Sequence, residues 1–229
     1  MRIGVLGTGR MGRILAERFA VGHEVVLYDV NPDSAKQVAE SLGLKSAASL
    51  AELEVDAAVL AVPDNAIKAC VENMKETARQ WKVFSIATNI SREMLATFAD
   101  SRVSILNVKI IGHAGEMSSG ARPVIVVDQG EDAPVQTARE IFSLAGNVVV
   151  GEADQVKQIN SIATEEALKA AVTVEEALRR AGVEDPDMVK SALTQVLTGV
   201  VKAYAADDLG PFARGIVRAL RDKSDGNMV

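Results

Sequence analysis

The sequence predicts an α/β protein: a doubly wound, mostly parallel sheet over residues 1–150, then a small all-helical domain over 151–229. Three observations predict it. Short β-branched runs alternate with segments of helical period along the first two thirds of the chain, the pattern of strand–helix–strand units. The first strand runs directly into a glycine-rich turn that opens a helix. After Gly151 the strand-like runs stop, and long stretches rich in Ala, Leu, Val and Glu take over.

The elements follow in order. Residues 2–6 are short, apolar and β-branched, which reads as a buried strand. Residues 11–21 carry Met11, Ile14, Leu15 and Phe19 on one helical face, and Gly22 ends that helix. A second strand over 24–28 closes at Asp29. Asn31-Pro32-Asp33-Ser34 starts a helix that runs to about residue 42. A short strand over 43–47 and a short helix over 49–53 come next. Residues 56–62 form a strand stopped by Pro63-Asp64, and 65–80 a helix. Strands over 82–87, 103–111, 123–127 and 147–150 alternate with helices over 91–98 and 133–144. Beyond Gly151, helices cover 153–182, 187–206 and 211–221.

Composition narrows the function classes. Hydrophobic residues make up 48% of the 229, enough to bury a sizeable core. No disordered composition stands out before the last few residues. The net charge is −6 and no basic stripe is present, which argues against a nucleic-acid partner. No apolar run approaches the roughly 18 residues of a membrane span. The one cysteine, Cys70, lies in a periodic stretch and reads as a small core residue, so no intrachain disulfide forms. Met1-Arg2 runs straight into the first strand without a secretory leader, and a cytoplasmic location is expected. No His or Cys cluster suggests a metal, and no Ser–His–acid set stands out.

The chemistry begins at Gly7-Thr8-Gly9-Arg10-Met11-Gly12, a G-x-G-x-x-G that follows a strand and opens a helix. Gly7 permits the tight turn, Gly9 lets a pyrophosphate approach the backbone, and Gly12 allows close helix–strand packing. The helix N-terminus offers free N–H groups and positive partial charge to phosphates. Asp29 lies 22 residues after Gly7, where a carboxylate binds the adenine ribose diol of a dinucleotide. These signals together predict a Rossmann domain that binds NAD. A carboxylate there repels a 2′-phosphate, while Arg10 is placed to pair with one, so NADP stays open.

The order of motifs resembles pyrroline-5-carboxylate reductase and its wider superfamily, which includes the β-hydroxyacid dehydrogenases and the deazaflavin-dependent NADP reductases. Residues 3–12 resemble that superfamily's opening, and Ala61-Val62-Pro63 its strand-end loop beside the cofactor. Ser85-Ile86-Ala87-Thr88-Asn89-Ile90-Ser91 is similar to the reductases' S-I-A-A-G-I-S turn. Lys109-Ile110-Ile111-Gly112-His113-Ala114 sits where they carry R-x-M-P-N-T. The helical C-terminal half resembles their dimerisation domain. Departures are equally plain. Gly112 and His113 replace the Pro-Asn, and the S-P-G-G-T-T loop that helps bind the imino acid has no match. The resemblance therefore implies the fold and an NAD(P)-dependent oxidoreductase, with a small imino-acid-like C=N substrate as the first expectation.

Hydride chemistry belongs to the cofactor, and the protein supplies orientation and a proton donor or acceptor. Lys157 and Asn160 resemble the K-x-x-N of the β-hydroxyacid dehydrogenases, where the lysine is the acid/base. Helical spacing puts Lys157, Asn160 and Ser161 on one face. His113, between small residues after a strand, has a side chain suited to proton transfer near neutral pH. Lys109 either binds a substrate carboxylate or faces solvent. Thr88 and Asn89 sit at a strand's carboxyl end, and Glu116 flanks the segment holding His113. The expected catalytic set is Lys157, His113 and Asn160. The alternatives are a hydroxy-acid dehydrogenase using Lys157, and a dinucleotide sensor without catalysis. The apolar helices of the second domain predict a homodimer that buries them.

Overall fold

The computed structural model of the chain describes residues 1–226. The disorder expected of the last few residues falls at 227–229, outside the described residues. Contacts divide the chain into two units, Met1–Ser161 and Ile162–Val229. The change of texture at Gly151 marks the end of the last strand, and the units divide shortly afterwards, inside a continuous helix.

The first unit is built on an eight-stranded sheet in the order β3-β2-β1-β4-β5-β6-β7-β8. The strands are β1 (Arg2–Leu6), β2 (Glu24–Tyr28), β3 (Lys45–Ser46), β4 (Ala57–Leu60), β5 (Trp81–Ser85), β6 (Val103–Ile111), β7 (Val124–Asp128) and β8 (Asn147–Gly151). All pairings are parallel except β6 with β7, where Val108 faces Val127 across an antiparallel ladder. Such a sheet needs cover on both faces. Alternate residues of one strand serve two cores. Ile3 and Val5 of β1 and Ala57 and Val59 of β4 pack into one, with α1 (Arg10–Phe19) and α6 (Asp132–Phe142). Leu6, Ala58 and Leu60 pack into the other, with α3 (Ile67–Lys75) and α4 (Arg92–Phe98). The first core centres on Phe142, which meets the edges of Phe19 at 5.4 Å and Phe84 at 6.0 Å between ring centroids. Each such pair adds about 0.5–1.5 kcal/mol beyond burial.

Local chemistry sets the element ends. Asn31 caps α2 (Pro32–Leu42) by accepting from the Asp33 and Ser34 N–H groups, and Gly43 closes it at φ 66°. Ser91 caps α4 through the Met94 N–H. Two expected helices change and one unforeseen helix is added. The helix expected over 65–80 is a 3₁₀ turn at Asp64–Ala66 followed by α3, which ends at Lys75. Tertiary donors stop it: the Trp81 indole N–H bonds the Met74 carbonyl, and the Arg102 guanidinium bonds that of Lys75. The helix expected over 49–53 is a pair of turns closed by Glu52 N–H to Ser49 O and Leu53 N–H to Leu50 O. An unexpected short helix, α5 (Ala114–Ser118), follows β6. Arg18 of α1 holds it by donating to the Met117 and Ala121 carbonyls.

The second unit is helical. It holds most of α7 (Gln155–Arg180), then α8 (Pro186–Ser191), a π-helical stretch (Ala192–Leu197), α9 (Thr198–Ala205) and α10 (Pro211–Gly226). Gly182 at φ 80° ends α7, and the Val183 N–H turns back to the Leu178 carbonyl. Asp185 caps α8 with Pro186 in the first turn.

Candidate functional site

The glycine loop joins β1 to α1, and its glycines have different reasons to lack a side chain. Gly7 has φ 99°, and a Cβ on it would lie 2.5 Å from the Ala61 carbonyl oxygen. A Cβ on Gly12 would lie 1.9 Å from the Gly7 carbonyl oxygen. Both are needed for the fold itself, to seat the helix on the sheet. Gly9 is different: a Cβ there would meet nothing within 4 Å. Its φ of −65° is open to any residue. The space beside Gly9 is a cleft of about 630 Å³, lined by the loop, Asp29 and Ala61-Val62-Pro63. That volume falls in the range of cofactor pockets. Helix α1 has no side-chain cap, so its first N–H groups are free to meet an anion in the cleft.

Asp29 stands at the end of β2, as expected, and it also holds the loop. Its Oδ2 accepts from the Thr8 N–H at 2.8 Å and from the Thr8 hydroxyl at 2.9 Å, while Oδ1 accepts from the Asn31 N–H at 3.0 Å. Partial burial pushes this carboxyl up, but the hydrogen bonds from Asn31, Thr8 and Val30 outweigh it and hold the group below its ordinary range. A carboxylate therefore faces the cleft. Cys70 lines the same cleft, and burial pushes its thiol up to about 11.

A second niche of about 210 Å³ adjoins the cleft and shares Met11, Ala61 and Val62 with it. Thr88, Asp64 and Asn160 also line it. Asn160 is held there by donating Nδ2 to the Ile110 carbonyl at 3.0 Å. The start of α7 is fixed by a polar network. Asp128 accepts from the Ala153 N–H, Asp154 accepts from the Arg92 N–H, and the Asn107 amide donates to both carboxylates.

Asn160 and nine of the ten expected cofactor residues thus line these two spaces; the tenth, Gly12, lines neither and instead packs helix α1 against the Gly7 carbonyl. Lys157 and His113 are exposed and line neither; His113 immediately precedes α5, and Lys157 sits one turn before Asn160 on α7. Lys109 neither faces solvent nor reaches the niche. It is fully buried, and its ammonium donates to the Ala87 and Ile90 carbonyls, pinning the Thr88-Asn89 turn. Desolvation pushes its pKa down, against the pull of Asp154, Asp64 and Asp128. Sequence reasoning treated Asp64 only as a strand stop. The signal was its place directly after Ala61-Val62-Pro63.

The fold and the glycine loop are those of a Rossmann-type dinucleotide-binding domain. Residues 2–89 match the family described as NADP oxidoreductase coenzyme F420-dependent. An uncharacterized oxidoreductase of Streptococcus pneumoniae is 34% identical over 116 residues, which are 46% of this chain and 31% of that protein's length. The structure of a pyrroline-5-carboxylate reductase from Coxiella burnetii aligns over 99% of this chain and 91% of its own, with a TM-score of 0.73 and 16% identity. A Mycobacterium tuberculosis 3-hydroxyisobutyrate dehydrogenase aligns over 86% and 70%, with a TM-score of 0.64 and 19% identity. At these identities the likeness is one of fold, and it is the fold that the motifs resembled.

Proposed function

We propose that this chain is an NAD(P)-dependent oxidoreductase that moves a hydride to or from a small C=N compound. The observation that carries the reading is Gly9, whose missing side chain serves no packing need and opens a cleft of dinucleotide size. When bound, the nicotinamide supplies or accepts the hydride. The chain's own residues do the rest. The free N–H groups of α1 hold the pyrophosphate, Asp29 accepts from the ribose diol, and Ala61-Val62-Pro63 flanks the end of the cleft that meets the niche. Asn160 and Thr88 offer polar contacts to the substrate. Lys157 and His113 are the proposed proton donors, and Lys157 has the stronger claim because it shares a helix face with Asn160.

The C=N substrate class is favoured by the fold likeness to a pyrroline-5-carboxylate reductase across nearly the whole chain. A hydroxy-acid reading is supported by Asn160 in the niche, with Lys157 three residues before it. The three polar side chains among the niche's otherwise apolar walls, Asp64, Thr88 and Asn160, favour an enzyme over a sensor, which would have no use for them beside the cofactor.

A homodimer is part of the proposal. No described residue of the second unit is buried, and Leu168, Val196 and Phe212 are 62%, 64% and 84% exposed. Such helices gain stability by burying these side chains against a second copy. Light scattering on the purified chain should give twice the monomer mass.

Titration with NADH and NADPH, read by the fluorescence of the bound nicotinamide, tests the central claim. Saturable binding in the micromolar range, NADH tighter than NADPH, is the expected result. Binding of neither at high micromolar concentration overturns it.

A further inference from the structure

The niche beside the cofactor cleft has one ionisable side chain among its lining residues, Asp64. Its other walls are apolar side chains, glycine backbone and the neutral Thr88 and Asn160. No Lys, Arg or His lines it among the described residues. The buried Lys109 ammonium feels the Asp64 charge but does not line the niche: it lies beneath the turn, donating to the Ala87 and Ile90 carbonyls, with no exposure of its own.

Asp64 is also held in place. The Asn89 amide donates to its Oδ2 at 2.7 Å, from the turn that Lys109 pins. That bond leaves Oδ1 able to accept from a ligand. The residue is half-buried, so its charge is less screened than that of a surface carboxylate.

We propose that the substrate carries positive charge where it meets the chain, as an imine protonated at nitrogen or the corresponding amine, and that Asp64 is its counter-charge. A substrate carboxylate in this niche sets two anions side by side with no cation among the lining residues to bridge them, since the Lys109 charge that Asp64 feels is already bonded to the Ala87 and Ile90 carbonyls, and this disfavours binding. An iminium group instead places its N–H against the Asp64 carboxylate as a charge-assisted hydrogen bond. This inference rests on the oxidoreductase reading and names the substrate class of that same site.

Two ligands of matched shape and opposite charge test it: cyclopentylamine and cyclopentanecarboxylate. Their binding to the nucleotide-loaded chain is read by the change in nicotinamide fluorescence and by calorimetry, without turnover. The amine should bind at least tenfold more tightly, and Asp64→Asn should bring the two within about threefold. Asn89→Ala removes the hydrogen bond but keeps the charge, so it should preserve the preference. Equal or tighter binding of the carboxylate overturns the proposal, as does binding of neither ligand. It also falls if Asp64→Asn leaves the ratio unchanged, or if Asn89→Ala levels it, since loop geometry would then set the preference. Failure of the nucleotide itself to bind sinks the oxidoreductase reading first and is seen before either ligand is added.

Discussion

Replacing Gly9 and Gly12 with alanine, one at a time, separates what the glycine loop does for the fold from what it does for a ligand. In Gly12→Ala the new Cβ falls 1.9 Å from the Gly7 carbonyl oxygen and 3.3 Å from the Ala61 Cβ. Ordinary contact begins near 3.4 Å, so helix α1 must lift from the β1 turn by more than an ångström. Overpacking a tight site costs about 1–3 kcal/mol and occasionally more, and backbone against backbone belongs at the upper end. For a chain of this size, about 3 kcal/mol lowers Tm by roughly 6–12 °C. In Gly9→Ala the Cβ enters open space and the backbone angles suit alanine. Its stability should stay within about 1 kcal/mol of the parent, the scale of an N-cap change. Its nucleotide affinity should fall at least tenfold, because the Cβ occupies the path of the pyrophosphate. Thermal unfolding and nicotinamide fluorescence titration measure the two effects. Parental nucleotide affinity in Gly9→Ala would refute the assignment of the cleft, and parental stability in Gly12→Ala would refute the close helix–strand contact.

Asp29→Ser should raise the affinity for NADPH relative to NADH, and an unchanged ratio of dissociation constants would show that Asp29 does not meet the ribose. Lys157→Met should lower turnover on the order of 10²-fold with nucleotide binding intact if Lys157 is the acid/base, and His113→Asn should do so if His113 is; modest losses in both remove both assignments. Cys70, its thiol pushed up to about 11 by burial, should react slowly with a thiol reagent at pH 8, and more slowly still with nucleotide bound; fast modification of the free chain contradicts this. Lys109 makes stability depend on pH. Its folded pKa lies below the unfolded 10.5, so between the two the unfolded chain binds more protons and stability rises with pH. The cost of the buried charge is fully present below the folded value and disappears as pH passes 10.5. Lys109→Met should lack that rise in urea midpoints, while also losing about 1–3 kcal/mol from the carbonyls left unpaired.

Much of the cofactor half was legible because local rules agree there. The strand–Gly7-Thr8-Gly9–helix order, the Asn31 and Ser91 caps and the carboxylate at the end of β2 are each set by residues close in sequence. The substrate side was less legible because tertiary contacts decide it. Nothing near Lys109 in sequence announces the two carbonyls, some twenty residues earlier, that draw its ammonium inward. The end of α3 was likewise hidden, since Trp81 and Arg102 supply the donors that stop it.

The amino-acid sequence by itself determined the doubly wound sheet, the helical second half and the glycine loop with its acid, because period, turn residues and motif spacing act over a few residues at a time. Only the tertiary structure decided that Asp29 binds Thr8, that Asn160 reaches the niche while Lys157 and His113 do not line it, and that Asp64 is the charge within it. Those outcomes depend on which strand lies beside which, and on where a buried polar group finds its partner once the chain has closed around it.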